Sequence, residues 1–295
     1  MGKKKDLILA ILLTAILIVL GSRFWREAEI LPNVKIFSVS NSTNARIDYS
    51  AHALQNNFVP PESPELTKGV IPVAGITSHH LPTAEEFIGS FYWELATAQP
   101  EIQTFLVVGP DHFERCLNLA SVSGRNFLTP FGLLENNQEI TEELKSAGAS
   151  EDSQCFENEH SIGAQATFIK RFFPKAKIAT LVFSSAASAN LAEKLAIAVK
   201  EKYPATIIIA SIDFSHYQRT DVANKIDSGT EKQIRTLNVK NLELQQLDSP
   251  ASLRFVIKYV NDMQAEVRWL KHTNSFAYTG NPDNTTGYFN VIFGK

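Results

Sequence analysis

Five of the seven histidines in this chain lie in short polar motifs that follow predicted strands or open a predicted helix. The motifs are Ser78-His79-His80, Gly109-Pro110-Asp111-His112, Glu159-His160-Ser161 and Asp213-Phe214-Ser215-His216. Strand ends in an α/β sheet converge on one edge, where ligand and catalytic sites collect. Imidazoles with one carboxylate suit a single divalent metal ion, with Fe(II) favoured and Cu or Zn possible. The pattern therefore predicts a metal site at this edge.

Each motif alone has a simpler explanation. A single histidine at a strand end is more often a hydrogen-bonded structural residue than a metal ligand. Adjacent His79 and His80 point in different directions if the chain is extended, so we expect at most one of them to bind the metal. Four such placements in one domain nevertheless favour a shared site.

Three carboxylates accompany these histidines. Asp213 lies three residues before His216, where it can orient an imidazole or take a proton from a substrate. Asp111 follows the sharp chain reversal that Gly109 and Pro110 predict. Glu159 lies where a helix begins, so either it or the following serine can cap that helix.

Only two cysteines occur, Cys116 and Cys155, and each lies within five residues of a histidine motif. Outside the cytoplasm they could form a disulfide at the rim of the site, but two unrelated thiols are an equal alternative. No C-x-x-C spacing indicates a structural zinc site.

Other chemistries lack their signatures. The sequence contains no G-x-S-x-G, no Walker A loop and no G-x-G-x-x-G, which argues against phosphoryl transfer and dinucleotide binding. A net charge of −3, with no basic aromatic stripe, gives no reason to expect nucleic acid as a partner.

Short apolar segments alternate with amphipathic ones through most of the chain. The predicted strands are 70–74, 104–108, 117–123, 177–183, 206–211, 266–271 and 287–293, and the predicted helices are 83–98, 140–147, 161–173, 188–203, 221–237 and 250–263. Buried strands that alternate with helices predict an α/β fold with a largely parallel sheet covered on both faces.

The N-terminus predicts a membrane helix. Three lysines, Lys3 to Lys5, precede an apolar run over residues 7–20. We interpret residues 1–26 as an uncleaved signal anchor, with a cleaved signal peptide as the alternative. The positive-inside rule then places the globular domain outside the cytoplasm. Residues 27–68, rich in Asn, Ser and Pro, are predicted to be a tether with one short helix near 51–56, and the domain is predicted to span 69–295.

Several of these motifs together resemble the MEMO family, which includes protein B of the AmmeMemoRadiSam system. The resemblance covers about residues 69–293 and rests on Gly109-Pro110-Asp111-His112, Thr129-Pro130-Phe131-Gly132, Glu159-His160-Ser161, Ser211-Ile212-Asp213-Phe214-Ser215-His216 and Gly287-Tyr288. Members are similar in fold to class III extradiol (LigB-type) dioxygenases. The resemblance implies a three-layer α/β/α domain with a mixed, largely parallel central sheet.

The resemblance also assigns metal ligands. The family has a Pro-His-Ala-Gly motif, whereas Pro72-Val73-Ala74-Gly75 carries valine at the histidine position. Ser78-His79-His80 offers the substitute, with His79 as the ligand and His80 as second choice. His112 matches the second ligand. Asp248 matches the third, a cysteine before a helix in many members, although it could instead cap the helix that begins at Pro250.

The remaining candidates surround that site. By resemblance, His216 acts as acid or base, with Asp213 and His160 supporting it, and His80, Asp111 and Glu159 line the pocket. The implied function is metal-dependent, dioxygenase-like redox chemistry on a small substrate. The alternatives are a module that binds a peptide or small ligand without turnover, and a zinc-dependent hydrolase.

Overall fold

The predicted buried strands pair side by side in the computed structural model, which describes residues 46–49, 58–66, 69–239 and 246–295. The strands are β1 Arg46–Asp48, β2 Pro72–Thr77, β3 Thr104–Pro110, β4 Ala120–Val122, β5 Asn126–Thr129, β6 Gly132–Leu134, β7 Ser150–Glu151, β8 Lys177–Phe183, β9 Ile207–Ser211, β10 Phe214–Gln218, β11 Glu266–Asn274 and β12 Thr285–Gly294. The helices are α1 Glu85–Ala98, α2 Gln138–Ala147, α3 His160–Phe172, α4 Ala189–Lys202, α5 Thr220–Arg235, α6 Pro250–Asp262 and α7 Phe276–Thr279.

The main sheet is mixed, with a parallel centre. Its strand order is β10-β12-β2-β9-β3-β8-β4-β7, and β11 pairs with β12. The four strands β2, β9, β3 and β8 are parallel, so their carboxyl ends share one edge. β12 is antiparallel to β2, β10 and β11. The predicted mixed sheet is therefore confirmed, but it is parallel only in part: β4 pairs antiparallel with β8 and parallel with β7, so four of the eight strand pairings are antiparallel.

Helices cover both faces of this sheet. Alternate residues of β3 point to opposite sides: Leu106 and Val108 pack in the cluster that contains α2, α4 and α6, whereas Phe105 and Val107 pack in the cluster that contains α1 and α3. This alternation is the two-residue period of a strand buried on both faces. The arrangement is three layers, α/β/α, around two apolar cores.

A small second sheet lies beside the main one. β1 pairs in parallel with β5, and β5 pairs antiparallel with β6. Tyr49 follows β1 and stacks on Phe127, and both rings are buried. Leu66 is also buried in the core that contains α1 and α3. Residues 46–49 and 58–66 therefore pack against the body of the domain, and the prediction that they belong to the tether is wrong.

The predicted anchor, residues 1–26, and the predicted short helix near 51–56 lie outside the described residues. Within the described part of the chain, no helix combines the length and apolar character that crossing a membrane requires.

One close contact depends on glycine. Asp227 on α5 is fully buried and hydrogen-bonds His272 on β11, with 2.9 Å between Oδ2 and Nε2. Its carboxylate packs against Gly287 on β12, where an added Cβ would lie 2.1 Å from Oδ2. Gly287 thus lets α5 approach the sheet next to the strand that carries His216.

Candidate metal centre

The ends of the parallel strands bring three distant segments together. His79 follows β2, His112 follows β3, and Asp213 follows β9. Asp248 joins them from the segment before α6, because its backbone N–H donates to the carbonyl of Asp213. The sheet edge therefore gathers residues separated by up to 169 positions in sequence.

Three side-chain atoms converge at this edge. Nε2 of His79 lies 3.2 Å from Nε2 of His112 and 3.1 Å from Oδ2 of Asp248, and the third separation, His112 Nε2 to Asp248 Oδ2, is 3.5 Å. Ligands about 2.1 Å from one ion, at angles between octahedral and tetrahedral, are about 3.0–3.4 Å apart. The spacing of these atoms matches that of ligands to a single metal ion.

Hydrogen bonds on the far side of each imidazole fix its orientation. Nδ1 of His112 lies 2.7 Å from Oε1 of Glu159, which can only accept when ionised. Nδ1 of His79 lies 3.1 Å from the hydroxyl of Ser211, whose own proton goes to the carbonyl of Ser161. Both Nδ1 atoms are therefore donors, so both Nε2 atoms can present lone pairs toward Asp248.

The charges of the cluster favour a cation between the histidines. Burial lowers the pKa of His112, but hydrogen bonds to Asp248 and Glu159 outweigh burial and raise that pKa to about 10. Burial likewise opposes a charge on His79, yet Asp213 and Asp248 raise its pKa above the usual value. Burial would raise the pKa of Asp248, but the charge of His79 and the hydrogen bond from His112 lower it. The carboxylates thus stabilise positive charge at this point, which a proton or a metal ion can supply.

The donor set fits a metal ion. Oδ1 of Asp248 is buried and accepts no hydrogen bond within the described residues. Two overlapping groups have ligand atoms within 4.8 Å of one another: His79 with His112 and His160, and His79 with Asp213 and Asp248. A buried His/Asp cluster of this kind could hold a metal ion, and its two imidazoles and carboxylate match the ligands that non-haem iron, copper and zinc accept.

Asp248 does not cap the helix that follows it. The N-cap of α6 is Ser249, whose hydroxyl accepts from the backbone N–H of Ser252, with Pro250 in the first turn. The side chain of Asp248 is left to face the histidines. The helix-cap explanation of Asp248 is therefore wrong.

Glu159 links helix capping to the site. It caps α3 by accepting from the backbone N–H of Ser161, and it also accepts from the backbone N–H of His112 at 3.0 Å. The adjacent His160 stacks on His112, with ring centroids 3.9 Å apart. Burial lowers the pKa of His160 to about 4, and the charges of His79 and His112 add to that effect, so His160 is neutral near pH 7.

Asp213 holds the backbone that carries His79. Its Oδ1 accepts from the hydroxyl of Ser78 and from the backbone N–H of His79. Its Oδ2 lies 3.6 Å from Nε2 of His79, slightly beyond hydrogen-bonding distance. Asp213 therefore borders the cluster and also fixes the strand end.

A cavity of about 320 Å³ opens beside the cluster. It is lined by His79, His80, Leu81, His112, His160, Ala164, Asp213, His216, Tyr217 and Thr286. His216 lies on β10, where Ser215 and Tyr217 on either side have positive φ angles of 23° and 55°. Residues other than glycine rarely adopt such angles, and they occur preferentially at functional sites.

Asp111, predicted to line the pocket, lies elsewhere. Its carboxylate accepts from the backbone N–H groups of Arg115 and Cys116, which closes the loop after β3. It lines a second cavity of about 320 Å³, which Asp248 also lines. Asp111 orders the loop that carries His112.

A disulfide joins the two loops that bear the site. Cys116 and Cys155 are bonded, with 4.9 Å between their Cα atoms. The first lies in the loop after His112, and the second lies shortly before Glu159. The disulfide therefore cross-links the same two segments that the His112–Glu159 hydrogen bonds hold together.

Two contacts that support the site were not predicted from the sequence. Gln165 on α3 donates to Ser211 and to the carbonyl of Ser78. The hydroxyl of Tyr288 lies 2.6 Å from Nδ1 of His80. Gln165 is a polar residue on the buried face of its helix, and Tyr288, although part of the Gly287-Tyr288 motif, lies 208 positions from His80.

Known proteins match most of this chain. The family model for Memo-like protein matches residues 47–292. A MEMO1 family protein of Pyrobaculum aerophilum is 27% identical over 208 residues, which cover 64% of this chain and 72% of that relative. A MEMO1 family protein of Caldivirga maquilingensis is 24% identical over 206 residues, covering 65% and 73%.

A solved structure of an uncharacterized protein from Escherichia coli K12 covers 74% of this chain and 99% of that chain. Its identity is 13% and its TM-score is 0.41, a likeness too weak to carry an argument about fold or function.

Proposed function

Since this chain belongs to the Memo-like protein family, we propose that it binds one divalent metal ion through His79, His112 and Asp248 and uses it on a small ligand in the adjoining cavity. The convergence of two imidazoles and a carboxylate, with both Nδ1 atoms already engaged as donors, is the observation that carries this proposal. With both imidazoles neutral and Asp248 ionised, the three atoms that face each other are all electron-pair donors.

The donor set favours Fe(II), with Cu and Zn as alternatives. Two neutral imidazoles and one carboxylate on one side of an ion leave the remaining positions open for other ligands, as in non-haem iron oxygenases. When bound, such an ion would supply Lewis acidity and, as Fe(II), redox chemistry with oxygen.

The chain itself would position the substrate and move its proton. His216 lines the cavity, so its imidazole can exchange a proton with a ligand oxygen. His160 and Asp213 hold the adjoining histidines in place. The cavity volume is at the small end of ligand pockets, and its walls include flat imidazole rings. These features support a small phenolic substrate and dioxygenase-like chemistry.

A binding module without turnover is the second candidate. Tyr217 at the cavity and Phe113 next to His112 are 74% and 47% exposed. Exposed aromatic side chains beside a pocket are typical of surfaces that recognise a ligand. In this case the metal would orient a peptide or small molecule and no product would form.

The disulfide supports a location outside the cytoplasm. Such bonds form and persist mainly in oxidising compartments, and the sequence of residues 1–26 predicts a membrane anchor. We propose that the domain of this chain faces that compartment.

The test is the metal content and reactivity of the full chain, purified without oxygen, beside His112→Ala, Asp248→Ala and Glu114→Gln. We expect about one equivalent of metal in the wild type, its loss in the first two variants and its retention in the third. Glu114 is the matched control, because it is an exposed carboxylate in the same loop and accepts a hydrogen bond from the hydroxyl of Ser185, away from the cluster.

Reactivity then separates the candidates. Oxygen uptake with an aromatic diol supports the redox function. Metal binding and ligand binding without turnover support the binding module, and turnover with zinc in the absence of oxygen supports hydrolysis. No bound metal under any loading condition would overturn the metal-site proposal.

A further inference from the structure

His80 differs from the neighbouring His79 in what it contacts. Its Nδ1 lies 2.6 Å from the hydroxyl of Tyr288 on β12, and its backbone N–H donates to the hydroxyl of Ser78. Tyr288 is fully buried, whereas His80 is partly exposed and lines the cavity. The buried phenol of Tyr288 thus contacts one side of the His80 ring, while His80 also lines the cavity.

The contact with Tyr288 fixes the position of the ring proton. Burial raises the pKa of Tyr288, so the phenol keeps its hydrogen and needs an acceptor. Nδ1 of His80 lies at hydrogen-bonding distance, and Ser275 also hydrogen-bonds the phenol. The hydroxyl of Ser275 already accepts from the backbone N–H of Thr286, so we assign Ser275 as a donor to Tyr288 and Tyr288 as the donor to Nδ1. With this assignment the hydrogen of the neutral imidazole is on Nε2.

The cavity therefore contains a donor that the metal cluster does not use. His80 lines this cavity, Tyr288 is not among the lining residues, and Nδ1 is engaged by Tyr288, so Nε2 is the ring nitrogen that remains for a ligand. A donor held by a buried partner recognises an acceptor with little loss of conformational entropy.

We infer that His80 is a specificity-determining residue, which selects small aromatic ligands that carry an oxygen acceptor in addition to the oxygens that reach the metal. This inference rests on the proposed function, since it takes the metal cluster as the other anchor of the ligand. Ligands without the second acceptor leave the N–H of His80 unpaired, and that loss weakens binding.

The test compares two neutral probes on the zinc-loaded full chain, where no oxidation occurs. The probes are catechol and 3,4-dihydroxyacetophenone, which adds one carbonyl oxygen, and the measured quantity is the ratio of their dissociation constants. The acetyl group also acidifies the diol, so the decisive quantity is the change of this ratio between variants.

Three variants are measured beside the wild type. His80→Leu removes the donor, His80→Gln restores one, and Tyr288→Phe removes the partner that fixes the ring proton. We expect His80→Leu to reduce the preference for the carbonyl-bearing probe by about fivefold or more. His80→Gln should keep most of the preference, Tyr288→Phe should be intermediate, and zinc content should not change.

An unchanged preference in His80→Leu would overturn the inference. So would a wild type that holds zinc and binds neither probe, although the metal site would then stand. A wild type that holds no zinc would mean that the proposed function has failed and the inference with it. A purely structural role for His80 would lower the affinity for both probes equally, and it would not be rescued by His80→Gln.

Discussion

Replacing Glu159 by glutamine should weaken the metal site while leaving the fold intact. Oε1 of Glu159 accepts from Nδ1 of His112 at 2.7 Å and from the N–H of Ser161 at 2.9 Å, and Oε2 accepts from the backbone N–H of His112 at 3.0 Å. All three partners are donors. Glutamine can serve only part of them, because its NH₂ group must face a donor in either orientation.

The size of the effect follows from these contacts. Residues that orient a metal ligand typically change metal affinity by about 10- to 100-fold when replaced, or about 1.4–2.7 kcal/mol. A buried donor without a partner costs about 1–3 kcal/mol of stability. The pKa of His112, about 10 in the metal-free protein, should also fall, because part of its rise comes from Glu159.

The assay is competition for zinc between the full chain and a chromogenic chelator, with His112 titrated by NMR in the metal-free form. Glu157→Gln is the matched control, since Glu157 is exposed and pairs with Arg125. A zinc affinity of Glu159→Gln within twofold of the wild type would refute the reasoning, because it would show that His112 does not need this carboxylate.

Three further predictions concern stability. Replacing both cysteines by serine removes a crosslink between positions 39 residues apart. The free energy of unfolding should therefore fall by about 4 kcal/mol, and the midpoint of thermal unfolding by about 8–16 °C. Reduction of the wild type should lower the midpoint by the same amount, and an unchanged midpoint would contradict the prediction. Gly287→Ala places a Cβ 2.1 Å from Oδ2 of Asp227 and should lower the free energy of unfolding, measured in urea, by about 1–3 kcal/mol. Gly229 on α5 has open space where an added Cβ would lie, so Gly229→Ala should raise the free energy of unfolding by about 0.5–1 kcal/mol. In the metal-free protein the raised pKa of His112 stabilises the fold fully below about pH 6.5, and this contribution disappears as the pH rises toward about 10. The free energy of unfolding in urea should therefore be lower at pH 9 than at pH 6, and His112→Ala should reduce that difference. Metal affinity should rise over the same pH range.

Much of the fold follows from the sequence, because the central strands are continuous apolar runs. The predicted strand 177–183 coincides with β8, and the predicted strand 206–211 differs from β9 by one residue. The predicted strand 70–74 is displaced relative to β2, which ends at Thr77 directly before the site. Pairing with β9 extends it through Gly75, Ile76 and Thr77, and a local apolar pattern does not reveal such pairing.

Several short strands outside the parallel centre were not predicted, for a related reason. β5 and β6 were not predicted, because their three or four residues carry too few apolar positions to show a period. β10 was not predicted either, because its residues include the site motif and bear positive φ angles. In β10 the site motif determines the backbone conformation more than the intrinsic strand preference of the residues does.

The histidines that follow strands predicted the members of the candidate cluster, but not which residues hold them in place. Position after a strand pointed to His79 and His112, and resemblance added Asp248. Neither could show that Glu159 orients His112, or that Tyr288 holds His80, because these contacts join residues 47 and 208 positions apart. Such pairs are decided by tertiary packing.

The position of β12 in the chain has a consequence for synthesis on the ribosome. β2, β10 and β11 all pair with β12, and β12 is made after every other described strand. At about 5–20 residues per second, the 208 positions between Thr77 and Thr285 delay that pairing by about 10–40 s. Until then one edge of β2, the strand that leads to His79, lacks its partner. Limited proteolysis of stalled nascent chains should show protection of β2 only after β12 has emerged.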